Sequence, residues 1–204
     1  LAIYQIGDPK VVLEVLQQVD GKDRFLHPKI ISDGLLSFSG NAQELQLLIL
    51  DHLFSFSEQM QVNLLNYLRF SGGAHCERVL QLLQSEETYD ETRFSCIRYL
   101  GKHPYAPAYD LIARFAAGEA GSRIEYAIVA LFVLRHYPQP RTAEVLRTQI
   151  NSSNWFVRYN ATESLEYLGL EYQDLIDIFD GRDRFAREML QYQFDQRYIL
   201  DKEV

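Results

Sequence analysis

Cysteine is scarce in this chain. There are two among 204 residues, Cys76 and Cys96. Two thiols build no disulfide framework, and neither lies in a metal-type spacing. Both read as small core residues on helices, which suits a reducing compartment better than an oxidising one. Long apolar runs are also missing. The longest, Tyr126 to Leu134, is too short to span a bilayer. No secretory signal is present. Basic residues are the minority, 20 against 28 acidic, for a net charge of -8. Nucleic acid is therefore a poor partner for the chain as a whole, although a local basic patch stays open. Low-complexity sequence is absent and 47% of the residues are hydrophobic, which excludes disorder and fits a folded chain with a sizeable core.

What the chain has in quantity is helical periodicity. Gly7, Asp8 and Pro9 break one helix and start the next, Asp as cap and Pro in the first turn. Val12, Leu13 and Leu16 give that helix its apolar face. Asp20, Gly21 and Lys22 turn the chain. A helix from about Pro28 to Phe38 follows, in which Ser32 and Asp33 stand where neighbouring units are apolar, so the helix is short or shifted in phase. Ser39, Gly40 and Asn41 precede a helix through Leu45, Leu48, Ile49 and Leu53. The helix from Ala127 to Leu134 is apolar on every side and is expected to be covered on all faces. After Asp180, Gly181 and Arg182 a last helix runs to about Tyr198. Its Arg184, Arg187, Glu188, Gln191 and Gln196 predict a polar outer cap.

The helices repeat. Leu36 to Ala42 reads against Leu68 to Ala74, 32 residues on, and Leu64, Leu65 and Leu68 fall on Cys96, Ile97 and Leu100. The offset then becomes 34. Cys96, Ile97 and Leu100 map onto Ala130, Leu131 and Leu134, then onto Ser164, Leu165 and Leu168. Pro104 maps onto Pro138. A period of this length with two helices per unit predicts stacked helix pairs, each burying its stripe against its neighbours. The unit boundaries fall roughly at 1–22, 23–55, 56–87, 88–119, 120–152 and 153–180, with a cap at 181–204, in one domain.

The clearest unit runs from Asn154 to Gly169. Asn154 caps the helix, Val157, Ala161, Leu165 and Leu168 form its stripe, and Gly169 ends it in a left-handed turn. Asn154, Val157-Arg158, Ala161, Leu165 and Leu168-Gly169 resemble the pattern of a HEAT repeat of the short, bacterial, phycobilisome-lyase-like class. Tetratricopeptide repeats share the 34-residue period, but Pro104 and Pro138 sit between the helices of a pair rather than at a repeat's end. The resemblance implies an all-α, right-handed α-α superhelix of about five helix pairs with a C-terminal capping helix. It also implies that the second helices line a concave face. Arg158 is expected to pair with acidic or amide side chains of adjoining repeats, and Trp155 to wedge between units. The tyrosines, Tyr99, Tyr105, Tyr109, Tyr126, Tyr137, Tyr159, Tyr167 and Tyr172 above all, are expected mostly between layers, with a minority exposed.

Catalytic chemistry finds no motif. The five histidines, His27, His52, His75, His103 and His136, form no i, i+4 pair for zinc. None precedes Glu, which sets the chain apart from metal-dependent HEAT hydroxylases. His103-Pro104-Tyr105 and His136-Tyr137-Pro138 read as turn punctuation with a polar cap at a helix end, ahead of an exposed ridge touching a partner. The carboxylates Glu86, Glu87, Asp90, Glu91, Asp174, Asp177 and Asp180 fall at helix starts and on solvated faces, where negative charge is stabilising by itself.

The resemblance to HEAT repeats implies a non-enzymatic scaffold without a cofactor, binding another protein or peptide along the concave face. The inner-surface candidates are Glu77, Arg78, Gln81, Asp110, Arg114, Glu144, Arg147, Asp174 and Asp177. The chain begins at Leu1 without an initiator Met and reads as a fragment or processed product. Its expected place is the cytoplasm, or the cytoplasmic face of a membrane if a segment outside this chain anchors it. The alternative is a HEAT-like enzyme or enzyme accessory, of bilin-lyase or DNA-glycosylase type.

Overall fold

Caps and turns set where the helices begin and end. A computed structural model describes residues 6–21, 28–137 and 140–200. The start at Leu1, Lys22, His27, Pro138 and the last residues of the cap lie outside the described residues. The structure is all-α, with no strand among the described residues. No described helix is long and apolar enough to cross a membrane. The chain forms two compact units, Leu1–Tyr105 and Ala106–Val204.

The first unit holds α1 (Pro9–Val19), α2 (Pro28–Leu36), α3 (Ala42–Asp51), α4 (Glu58–Ser71), α5 (Cys76–Gln84) and α6 (Asp90–Lys102). Asp8 accepts from the Lys10 N–H at 2.8 Å, and Pro9 fills the first position of α1. Asn41 and Ser57 cap α3 and α4 in the same way. Alternate helices pack side by side. α2, α4 and α6 form one row, α1 lies against α3, and α5 packs on α6. The rows share a core of Leu45, Ile49, Leu64, Leu68, Val79, Ile97 and Leu100. α2 is indeed short. Its Ser32 is buried, and the hydroxyl donates to the Lys29 carbonyl at 3.2 Å. A buried hydroxyl is tolerated there because it finds an acceptor within its own helix.

The second unit holds α7 (Tyr109–Ala116), α8 (Ile124–Leu134), α9 (Pro140–Gln149), α10 (Trp155–Tyr167), α11 (Ile176–Phe179) and α12 (Arg184–Leu200). α8, α10 and α12 form a row, backed by α7, α9 and α11. The repeat register reappears as burial. Cys96, Ile97 and Leu100, then Ala130, Leu131 and Leu134, then Ser164 and Leu165 are all fully buried. Ser164 is polar at a position otherwise taken by small apolar residues. Its hydroxyl donates to the Leu131 carbonyl at 2.9 Å, which makes it a tie between neighbouring helices.

Two expectations need correction and one a qualification. α8 is not covered on every face: Phe132 is 42% exposed, and the guanidinium of Arg135 lies over its ring at 3.7 Å. A cation on the ring face takes the place of a packed helix. α12 does carry exposed Arg184, Glu188, Gln191, Asp195 and Gln196, as a polar cap requires, but Phe185 and Tyr192 stand open beside them, 62% and 50% exposed. Cys96 is a core residue, whereas Cys76 is only half-buried.

Candidate functional site

Four of the nine sequence-derived candidates come together on α9, on α11 and on the turn leading into it. Arg147 grips both carboxylate oxygens of Asp177, at 2.5 and 2.6 Å, and donates to the Asp174 carbonyl at 2.6 Å. Glu144, Arg147 and Asp177 line a shallow cavity of about 450 Å³. The hydrogen bond from Arg147 holds the Asp177 carboxyl below its usual range. Most of the arginine's fork is thus engaged in tying α9 to α11. Both side chains are partly in solvent, so the pair contributes at most about 1 kcal/mol.

The other five stay apart. Asp110 and Arg114 are exposed on α7, and Glu77 and Gln81 are exposed on α5. Arg78 reaches back to Asp51 at 2.6 Å and ties α5 to α3.

The surface that the sequence reading missed lies between α10 and α12. Asn154 accepts from the Phe156 and Val157 N–H groups at 2.9 and 3.2 Å and fixes the start of α10. Gly169, at φ 77°, ends it, with the Leu170 N–H returning to the Leu165 carbonyl. This frame presents Trp155 half-exposed, its ring stacked on Tyr159 at 5.1 Å and 16°. One turn on, Arg158 is 8% exposed. Among the described residues it hydrogen-bonds no acidic or amide side chain of an adjoining repeat, contrary to expectation. It donates to the Ser152 carbonyl at 2.7 Å and lies 5.3 Å from the Phe185 ring centre, while its buried Nε–H has no partner among the described residues. Trp155, Arg158, Phe185, Glu188, Met189 and Tyr192 enclose a cavity of about 380 Å³. Trp155 therefore stands open where it was expected to be wedged. Its indole has an aromatic neighbour on its own helix, which supplies the contact a second repeat would have given.

A signal for this surface was present. Phe185, Glu188 and Tyr192 share one face of the last helix, opposite to Ala186, Leu190 and Gln193, which are buried. Counting polar residues along that helix hid the stripe. Of the eight tyrosines singled out, Tyr99, Tyr126 and Tyr137 are buried, Tyr105, Tyr109 and Tyr159 are intermediate, and Tyr167 and Tyr172 are exposed.

The polar knot at the start of α5 has a different character. The Tyr99 hydroxyl donates to the Gly72 carbonyl at 3.0 Å and accepts from the His75 N–H at 3.2 Å. His75 Nε2 meets Gln46 Oε1 at 2.9 Å, and His103 Nε2 meets the Arg69 carbonyl at 2.8 Å. His103 is thus a polar cap on the last turn of α4. Cys76 lies beside the Gly73 and His103 carbonyls. Burial pushes the Cys76 thiol up, and that of Cys96 up to about 12, so neither is an activated nucleophile. Among the described residues no group of three His, Cys, Asp or Glu side chains is placed to hold a metal ion.

No protein-family model matches the chain, and no curated protein matches its sequence significantly.

Proposed function

We propose that this chain is a non-enzymatic scaffold of HEAT-like helical repeats that binds another protein in the cytoplasm or at the cytoplasmic face of a membrane. One observation carries the reading: the open aromatic cavity of Trp155, Phe185 and Tyr192 around Arg158. Tryptophan, tyrosine and arginine dominate the energetics of protein interfaces, because they give large contact area with a polar handle. Leaving such rings in water is unfavourable by roughly 25 cal/mol per Å² of apolar surface, which a partner recovers on docking. The partner in this reading supplies an apolar side chain to the cavity. The charged surface of α9 and α11 then serves as a rim, since its strongest cation is already held internally.

The test replaces Trp155 and Phe185 by alanine in chains whose helical content is unchanged. Partners recovered from source lysate by the parent chain are purified and titrated against each variant. A loss of about 2 kcal/mol, roughly thirtyfold in Kd, is expected for the double variant. Equal affinity for parent and double variant overturns the aromatic site. Loss of binding on Arg114→Glu alone moves the partner to the row of α7 and α9.

A further inference from the structure

The first unit carries an arrangement of opposite character to the acidic chain around it. Between α4 and α6 lies a cavity of about 310 Å³, lined by Arg69 and Arg98 together with Gln59, Asn63, Asn66 and Ser95. Among the described residues neither guanidinium forms an ion pair, whereas Arg78, Arg123, Arg135, Arg147 and Arg184 each hold a carboxylate. The composition of the two helices explains this. Residues 59–71 and 92–102 contain no Asp or Glu, although the chain carries 28. The acids of α4 and α6 are confined to their first turns, at Glu58, Asp90 and Glu91.

The hydrogen bonds make the cavity a cluster of donors. Arg69 donates to Asn66 Oδ1 at 2.8 Å, and Gln59 donates to Asn63 Oδ1 at 3.4 Å. Both asparagine oxygens are thereby taken, and their NH2 groups remain as donors. The Ser95 hydroxyl uses its one donor on the Glu91 carbonyl of its own helix and adds none to the cluster. Arg69 is partly desolvated and feels the charge of Arg98, and both effects push its pKa down. Two cations with amide donors beside them, and no carboxylate paired to them among the described residues, form a half-built oxyanion site. A singly charged carboxylate matches one guanidinium. A dianion with three terminal oxygens matches both, and still leaves an oxygen for an amide donor.

We infer that the Arg69–Arg98 cavity binds a phosphomonoester-type dianion, either free phosphate or a phosphoryl group carried on a peptide. This stands independently of the aromatic surface in the other unit.

The experiment titrates the full chain with inorganic phosphate, and with a short phosphoserine peptide beside its unphosphorylated form, at constant ionic strength. Phosphorus NMR and thermal unfolding are the readouts. Saturable phosphorus shift changes and a rise in Tm are expected, with acetate giving neither. Arg98→Gln, at an exposed position on α6, is expected to weaken binding at least about tenfold. Arg114→Gln, an exposed cation in the other unit, leaves it unchanged. Tighter binding of the phosphopeptide than of phosphate assigns the source to a peptide, and comparable binding assigns it to the free ion. A response to phosphate that does not saturate overturns the site. So does equal weakening by Arg98→Gln and Arg114→Gln, or acetate binding as well as phosphate.

Discussion

The hydroxyl of Thr92 on α6 donates to the side-chain oxygen of Gln61 on α4 at 3.0 Å, and both residues are buried. The amide of Gln61 in turn donates to the Phe56 carbonyl at 2.9 Å, in the loop before α4. This short chain of bonds couples two packed helices to the turn that feeds one of them. Thr92→Val keeps the shape and strands an acceptor, so it is expected to lower unfolding free energy by about 1–3 kcal/mol. Thr92→Val with Gln61→Leu is expected to cost less than the sum of the two single changes. Urea unfolding of the three variants measures it.

Acid is expected to loosen the first unit through His75. Burial, and then the nearby charge of Arg78, hold this imidazole below its ordinary value of 6.5. Its folded pKa is depressed, so the folded state binds protons less readily than the unfolded one. The stabilisation is complete above the unfolded pKa and is lost as pH falls below it towards the folded pKa. Unfolding midpoints of the parent should therefore drop between about pH 7 and pH 5, and His75→Gln should flatten that slope. An unchanged slope in the variant excludes His75 as its origin.

The two thiols are expected to differ in accessibility. With its pKa pushed up to about 12 by burial and its side chain fully buried, Cys96 stays a thiol at pH 8. A disulfide reagent should leave Cys96 untouched in the native chain and label half-buried Cys76 slowly. Both should react in denaturant. Mass spectrometry of the labelled peptides gives the answer directly.

Trp155 is the only tryptophan, so its fluorescence reports one place. Because it is 49% exposed, acrylamide should quench it efficiently in the native chain, and a docked partner should reduce that quenching. Trp155→Ala should change stability by less than about 1 kcal/mol. Leu165→Ala, a fully buried change on the same helix, should cost about 2–5 kcal/mol. Comparable losses for the two would mean that the indole is packed and not open.

Much of the helix layout was legible because it is written in local chemistry. Asp8-Pro9, Asn154 and Gly169 mark helix ends through bonds to backbone groups within a few residues, and each mark is found in place. The 32- and 34-residue offsets recovered core positions, since burial at one repeat constrains the same position in the next. The surfaces were harder to read. Arg158 meets Phe185, and Arg69 shares a cavity with Arg98, across about thirty residues of chain. Periodicity tells which face of a helix is hidden. It does not tell which exposed side chains from the next helix arrive beside it. Arg147 with Asp177 was half visible: both were named as surface candidates, but their mutual grip was not foreseen.

The long-range polar ties described above span modest stretches of sequence. Thr92 reaches Gln61 across 31 residues, Ser164 reaches Leu131 across 33, and Tyr99 reaches Gly72 across 27. Each closes a short loop, and the entropy lost in closing it grows only slowly with length. Among the described helices these neighbours lie close in sequence, so they need not await a distant stretch to pair. A nascent chain leaving the ribosome can dock its helices in the order they emerge, and contacts this local favour fast folding.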